Sequence, residues 1–219
     1  LVSSSAASDV YKRQSLYSIN KAAGNQIVSD IHLGDWGMPI AQILTFCEEN
    51  DIQIDKLTIN KLVEIYPKAS SQYQNKKDFE EKAKKINLDL NNSDKETLKK
   101  WAMIKKLSID SIKTTLDKLN HGFDFWLGES DVNHLIPEML KNLEDTNKIS
   151  KDNGAFVSNL DCDPKILITK SDGSYLYLTT DLATVLHRLK NIEFDKILYV
   201  VDNRQTLHFK QLFDSINYF

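Results

Sequence analysis

Three short polar segments of this sequence carry residue types that bind ligands: residues 32–37, 179–181 and 202–205. Each segment follows a run with the pattern of a β-strand and precedes a run with the pattern of a helix. In doubly wound sheets, ligands bind beyond the carboxyl ends of the strands, beside helix N-termini. The sequence therefore predicts that the three segments lie at one ligand-binding edge of a sheet.

The first segment contains Gly34 and Gly37 around Asp35 and Trp36. Glycine permits close backbone approach or a positive φ, aspartate supplies a carboxylate, and tryptophan supplies a rigid flat surface. A plainer interpretation is that Asp35 only caps the following helix. His32, taken alone, is more typical of a hydrogen-bonded structural histidine than of a ligand.

The other two segments also have plainer interpretations. Thr180 or Asp181 is expected to cap a helix that starts at Leu182, and Gln205 is explained equally well as a first-turn residue facing water. His208 lies three residues after Gln205 and would share its helical face. Capping and ligand binding both remain open for Asp181 on spacing alone.

The elements that position these segments are predicted from apolar spacing and turn residues. In chain order they are a helix at 15–24, a strand at 25–32, a helix from Pro39, helices at 76–90, 94–120 and 134–149, a strand at 155–160, a hairpin of 165–169 with 175–179, a helix at 182–190 and a strand at 196–201. The last strand is a continuous apolar run of the kind buried in parallel sheets. The order indicates an α/β fold with a right-handed βαβ unit near its end.

Composition excludes several classes of protein. The net charge of −3 comes from 28 basic and 31 acidic residues, so no overall basic field indicates a nucleic-acid partner. Cys47 and Cys162 are far apart with no metal-ligand spacing, which argues against a zinc site or a disulfide scaffold and favours a reducing cytoplasm. No apolar run approaches the roughly 20 residues that span a bilayer, so we expect no membrane partner.

Motifs narrow the class further. The seven glycines form neither a dinucleotide-binding GxGxxG nor a P-loop, and the chain has no GxSxG elbow and no HExxH. These absences argue against an ordinary dehydrogenase, a P-loop nucleotidase and an α/β-hydrolase. The lysines of the charged middle helices are interpreted as solvated faces.

Four ordered blocks of the chain resemble successive blocks of one family, the arginyl-tRNA synthetases of class I. The blocks read SDIHLGDWGMPIAQIL, FDFWLGESD, SDGSYLYLTTDLATVLHR and DKILYVVDNRQTLHFKQLF, and the similarity covers roughly residues 15–219. The resemblance implies a Rossmann-type parallel sheet interrupted by a mostly helical insertion. It also implies the domain boundaries: an adapter-like, non-native tail at 1–14, catalytic-domain parts at 15–49 and 156–219, and the insertion at 50–155.

The resemblance also implies a reaction and its substrates. Arginine attacks the α-phosphate of ATP to form arginyl-adenylate, and the arginyl group then passes to the terminal ribose of tRNA(Arg). Magnesium accompanies the ATP, and no tightly bound metal is expected. We also expect the parent enzyme to be a monomer.

Three substrate positions of the family fall on Tyr177, Asp181 and Gln205. The guanidinium of arginine is planar, always charged and has five donors, so a carboxylate with neutral acceptors and an aromatic wall suits it. The family's histidine after the glutamine falls on His208, which we assign to the adenosine side of ATP. The corner from Gly34 to Gly37 is expected to line the rim of the cleft, with its Asp35 and Trp36 supporting the site.

The family's His-x-Gly-His and Lys-Met-Ser-Lys-type segments are not found in this sequence. We therefore expect a piece cut at both ends, to which no catalytic residue is assigned, since stabilisation of the developing phosphate charge is the main catalytic term. We predict that it is inactive by itself, and turnover in ATP–pyrophosphate exchange with arginine and tRNA would contradict this.

Two other functions stay open on the sequence. One is a non-catalytic, Rossmann-like module that binds a nucleotide or RNA, and it predicts no selectivity for arginine over lysine. The other is a helical interaction protein that uses the charged middle segment, and it predicts loss of partner binding when residues 50–155 are deleted.

Overall fold

A computed structural model describes residues 4–171 and 173–219 of the protein. Its contacts divide into two compact units. One unit is Gly34–Asp124, and the other combines the segment before Gly34 with Phe125–Phe219. The boundaries predicted from the sequence are not tested by this division and stay a prediction.

The Gly34–Asp124 unit is helical. Its helices are α2 (Met38–Glu49), α3 (Ile59–Asn75), α4 (Lys77–Asn91) and α5 (Lys95–Lys118), with a 3₁₀ turn at Ile54–Lys56. One apolar stripe on each α-helix faces a common core, as the 3.6-residue period requires. The most deeply buried core side chains are Leu44, Ile65, Ala69, Phe79, Ala83, Leu90 and Ile104.

Side-chain caps fix where two of these helices begin. The Thr58 hydroxyl accepts a hydrogen bond from the backbone N–H of Lys61 at the start of α3. The Asp94 carboxylate accepts one from the backbone N–H of Thr97 at the start of α5, at 2.8 Å. This second bond is the main reason that the pKa of Asp94 lies below its ordinary value.

The core of this unit contains a cysteine, and both cysteines of the chain are free. The Cys47 side chain is 1 % exposed, and burial, with a smaller effect of Glu48, raises the pKa of its thiol to about 11. Cys162 is only partly buried. At pH 8 about 0.1 % of Cys47 is therefore thiolate, the reactive form.

We predict that iodoacetamide at pH 8 alkylates Cys162 and leaves Cys47 unmodified in the native protein. A raised pKa favours the thiol below that pKa, and burial also blocks access. Peptide mass spectrometry after timed alkylation gives both rates. The same reaction in 8 M urea is the control and should modify both cysteines, whereas equal native rates would contradict the prediction.

The second unit contains two small sheets. Strands β1 (Asp30–Leu33) and β2 (Phe125–Gly128) pair in parallel, with Asp30 opposite Phe125 and Leu33 opposite Gly128. Strands β3 (Ile149–Asp152) and β4 (Ala155–Ser158) form an antiparallel hairpin. The whole Gly34–Asp124 unit lies in sequence between β1 and β2 and so interrupts the parallel pair.

Helices complete the second unit. They are α1 (Ser4–Ala22), α6 (Glu129–Val132), α7 (Ile136–Asp145), α8 (Tyr177–Asn191) and α9 (Thr206–Tyr218), with 3₁₀ turns at Asn133–Leu135 and Asn203–Gln205. The core of this unit includes Val132, Ile136, Ile149, Ile166, Ile168, Ala183 and Leu212. No helix in residues 4–171 and 173–219 is long and apolar enough to cross a membrane.

Several predicted elements are confirmed. The charged patterns at 76–90 and 94–120 form α4 and α5, the pattern at 134–149 forms the shorter α7, and β4 lies within 155–160. The helix predicted at 15–24 belongs to α1, which also includes residues 4–14 of the adapter-like segment. The strand predicted at 25–32 is shorter, because only β1 is paired.

The predicted strand at 175–179 is wrong, because α8 begins at Tyr177. Thr169 and Tyr175 form a single antiparallel bridge, and Asp172 of the predicted turn lies outside the described residues. The hydroxyl of Thr179 donates to the carbonyl of Ile168, which holds the first turn of α8 against the preceding segment. A local β pattern is here overridden by tertiary contacts.

The predicted strand at 196–201 is also wrong, and with it the predicted βαβ unit. These described residues have no strand pairing in the structure. The segment instead packs by side chains, since the Tyr199 ring lies 4.9 Å from the Phe209 ring and 5.8 Å from the Phe213 ring of α9. Aromatic packing against a helix thus buries part of this apolar run without ladder hydrogen bonds.

Candidate functional site

A carboxylate between two imidazoles marks the candidate site in the second unit. Oδ2 of Asp181 lies 2.5 Å from Nε2 of His208, and Oδ1 lies 3.9 Å from Nε2 of His32. The Asp181 side chain is 19 % exposed and each histidine 26 %, so the carboxylate is shielded yet reachable. The cluster joins β1, α8 and α9 at one point.

The start of α8 explains why Asp181 is available. The helix begins at Tyr177, its N-cap is Leu176, and that cap makes no side-chain hydrogen bond. Asp181 therefore lies in the second turn, and the expected capping role of Thr180 or Asp181 is wrong. The Thr180 hydroxyl donates to the carbonyl of Tyr177 instead. The Asp181 carboxylate remains directed at other groups.

Tyr177 and Gln205 lie at the beginnings of the two helices. Tyr177 is the first residue of α8 and, four residues before Asp181, shares its helical face; its side chain is 68 % exposed. Gln205 is the N-cap residue of α9, is exposed, and precedes His208 by three residues. Helices α8 and α9 pack against each other. The structure thus brings Asp181 and His208 into direct contact, with Tyr177 and Gln205 exposed on adjoining turns.

Asp35 and Trp36 of the glycine corner contact the helical unit. The Asp35 carboxylate lies 2.6 Å from Nζ of Lys105, and its backbone carbonyl accepts a hydrogen bond from Nε1 of Trp101 at 2.6 Å. The Trp36 ring meets the Trp101 ring edge-on at 5.2 Å, and its Nε1 donates to Oδ1 of Asn91 at 3.1 Å. These contacts tie the corner to α4 and α5.

The capping interpretation of Asp35 is wrong, because the N-cap of α2 is Gly37 and makes no side-chain cap bond. Gly34 at the start of the corner is exposed. The expectation that Gly34, Asp35, Trp36 and Gly37 line the rim of a catalytic cleft stays a prediction.

Gly37 has φ 85° and ψ −157°, a backbone conformation that is available almost only to glycine. We predict that Gly37→Ala lowers the free energy of unfolding by about 1–3 kcal/mol, although a Cβ there would meet nothing within 4 Å. Urea unfolding followed by circular dichroism measures the change. Gly122→Ala is the matched control, because Gly122 has equally open space in the same unit and no positive φ. Equal effects of the two substitutions would contradict the prediction.

A buried ion pair beside the site was not found by the sequence reasoning. Nη2 and Nε of Arg188 contact Oδ2 of Asp30 at 2.6 Å and 3.2 Å, and Nη1 donates to the hydroxyl of Tyr199 at 2.9 Å. The Arg188 and Asp30 side chains are only 11 % and 12 % exposed. Burial, above all, raises the pKa of Tyr199, which therefore stays a neutral phenol at physiological pH.

The two polar clusters share one spacing. Asp30 and His32 are alternate residues of β1 and so point to one face of the strand. Asp181 and Arg188 are seven residues apart on α8, which is about two helical turns, so they share a face of the helix. Asp30 meets Arg188 while His32 faces Asp181. This period-two and period-seven match is the signal that could have identified Asp30 and Arg188.

The helical unit has a separate polar cavity of about 350 Å³. It is lined by Glu49, Lys76, Lys77, Asp78, Phe79 and Lys82. Lys82 and Glu49 pair across it at 2.5 Å. None of the predicted site residues lines this cavity.

No group of three or more His, Cys, Asp or Glu residues in the described chain is arranged to hold a metal ion. The Asp181 cluster has one carboxylate and two imidazoles, of which His208 is already bonded to that carboxylate. The described residues therefore do not form a magnesium site, and no step is assigned through a metal.

Comparison with known proteins identifies the class to which this arrangement belongs. Residues 13–218 match the family described as tRNA synthetases class I (R), catalytic domain, and the chain belongs to that family. The mostly helical α/β fold with a small parallel sheet agrees with the predicted fold class.

The particular relatives are arginine–tRNA ligases, which confirms the resemblance seen in the sequence. The one from Francisella tularensis subsp. novicida is 38 % identical over 217 residues, covering 90 % of this chain and 37 % of the relative. The one from Clostridium perfringens is 33 % identical over 206 residues, covering 92 % and 36 %. The chain thus spans about 37 % of the length of the first of these curated relatives.

Solved structures agree on the fold. Arginyl-tRNA synthetase from Plasmodium falciparum superimposes with a TM-score of 0.73 at 20 % identity, over 88 % of this chain and 33 % of that one. Arginyl-tRNA synthetase from Thermus thermophilus gives a TM-score of 0.52 at 17 % identity, over 81 % and 33 %. At these identities the likeness concerns the fold alone.

Proposed function

We propose that this chain supplies the amino-acid-binding part of an arginine–tRNA ligase. The observation that carries the proposal is the partly shielded Asp181 carboxylate, at the meeting point of β1, α8 and α9, in a chain of the class I (R) family. A shielded carboxylate attracts a permanent cation more strongly than one in open water does. Its position beside the starts of two helices leaves it open to a small ligand.

Three side chains are proposed to bind L-arginine. Asp181 accepts two N–H bonds of the guanidinium fork, Gln205 offers a neutral side-chain carbonyl, and Tyr177 offers a ring and a hydroxyl. The exposure of Tyr177 and Gln205 leaves both free to turn toward a ligand. Lysine has a compact ammonium and makes no forked contact, so the pocket distinguishes the two amino acids.

The remaining assignments follow family membership. ATP activates arginine to arginyl-adenylate, the arginyl group passes to tRNA(Arg), and magnesium enters as the companion of ATP. The proposed setting is the cytoplasm, in keeping with two free cysteines, and the proposed state of the parent enzyme is a monomer. The assignment of His208 to adenosine stays a prediction, although its contact with Asp181 favours the role argued in the next subsection.

Titration of this chain with L-arginine and L-lysine by isothermal calorimetry tests the proposed function. We expect measurable arginine binding and lysine binding weaker by about tenfold or more, because one lost charge-assisted bond accounts for that ratio. Equal affinity for the two amino acids would contradict the arginine site. An absence of binding to either would contradict the proposed function itself.

A further inference from the structure

The contact between His208 and Asp181 has a role beyond holding two helices together, and the argument rests on the proposed arginine site. Nε2 of His208 lies 2.5 Å from Oδ2 of Asp181, and both side chains are largely removed from water. Hydrogen bonds are stronger in such surroundings than at the open surface. The rotamer of the carboxylate is therefore set before a ligand arrives.

The imidazole itself is held in place. The ring of Phe209 meets the His208 ring edge-on, with centroids 5.2 Å apart and planes at 89°. Phe209 in turn packs against Tyr199, whose hydroxyl accepts a hydrogen bond from buried Arg188. The donor that orients Asp181 thus belongs to a packed cluster rather than to a mobile surface side chain.

The hydrogen bond leaves room for a guanidinium. A carboxylate has about four acceptor positions, two on each oxygen. His208 occupies one position on Oδ2, while a guanidinium fork needs one position on each oxygen. The imidazole and the ligand can therefore bind Asp181 together, provided that Nε2 carries the proton and donates it.

The same bond fixes a second acceptor. His208 and Gln205 are three residues apart at the start of α9 and lie on one side of it. Because His208 contacts Asp181 on α8, it also sets the position of Gln205 relative to the carboxylate. Both acceptors are thereby arranged in advance, which lowers the entropy lost on binding.

We propose that His208 is a positioning residue for arginine recognition: a neutral, Nε2-protonated imidazole that orients the Asp181 carboxylate and sets Gln205 beside it. The role belongs to the amino-acid side of the site. It predicts that the hydrogen bond, rather than the ring or its charge, governs arginine affinity.

Two substitutions separate the hydrogen bond from the bulk of the side chain. His208→Leu removes the donor, and His208→Gln retains an N–H donor at a similar distance from the backbone. Calorimetric titration with L-arginine should show affinity reduced about tenfold or more in His208→Leu and within about threefold of wild type in His208→Gln. His134→Leu, at an exposed histidine of the same unit, is the matched control and should bind as wild type does.

The outcomes distinguish the two proposals. Wild-type affinity in His208→Leu, or equal loss in both His208 variants that unfold like wild type in urea, would overturn the positioning role alone. A wild-type chain that binds no arginine would overturn the proposed function. Long-range ¹H–¹⁵N NMR spectra test the bond without any ligand: we expect the Nε2–H tautomer in wild type and a mixture in Asp181→Ala. An Nδ1–H tautomer in wild type would overturn the positioning role.

Discussion

Replacement of Asp181 with asparagine is expected to weaken L-arginine binding about 100-fold, the largest change expected in the site. The substitution retains size and one acceptor oxygen but removes the charge and directs N–H donors at a guanidinium that only donates. Loss of two charge-assisted bonds, each a fraction of the 1.5–3 kcal/mol measured for bonds to charged groups, accounts for a factor of about 100. Isothermal calorimetry on the 219-residue chain measures it.

Asp195→Asn is the matched control, because Asp195 is an exposed aspartate of the same unit. It removes the same charge from the chain, so it corrects for long-range attraction of a cationic ligand. We expect it to bind arginine as wild type does. Unchanged arginine affinity in Asp181→Asn would remove this residue from the pocket.

Replacement of Arg188 with methionine is expected to lower the free energy of unfolding by about 3–5 kcal/mol, because it leaves the carboxylate of Asp30 buried without its cation. The penalty falls on the whole carboxylate, since Oδ1 of Asp30 is buried and has no hydrogen-bond partner among the described residues. Methionine fills similar volume, so lost packing contributes little. Urea unfolding followed by circular dichroism gives the value.

A double variant and a surface control make this result specific. Asp30→Asn combined with Arg188→Met removes both charges and should recover a large part of the lost stability. Arg204→Met breaks the pair with Asp202, in which Arg204 is 78 % exposed, and should not differ measurably from wild type. Equal effects of Arg188→Met and Arg204→Met would show that the buried pair adds nothing.

Sequence patterns identified the helical parts of the fold well. Helices α4 and α5 are long, so their apolar stripes repeat over several turns and their period is clear. The strands were harder, because β1 and β2 have only four residues each and pair across the whole helical unit. Residues 175–179 and 196–201 have β-like composition, yet a tertiary hydrogen bond at Thr179 and ring packing at Tyr199 decided otherwise.

The candidate site divides in the same way. Asp181 and His208 were both identified from local spacing and family resemblance, but their mutual contact was not, because 27 residues separate them. The pairing of Asp30 with Arg188 joins residues 158 positions apart and has no local signal. His32 was interpreted as a structural histidine, and the structure places it facing the carboxylate.

The sequence by itself determined which groups are present, their order, and the helical periods that set which side chains share a face. It also determined the family, because ordered blocks of residues are a property of the chain alone. Only the tertiary structure decided which carboxylate meets which cation or imidazole, and which apolar run becomes a strand. Those choices depend on contacts between residues distant along the chain, whose free energies no local pattern contains.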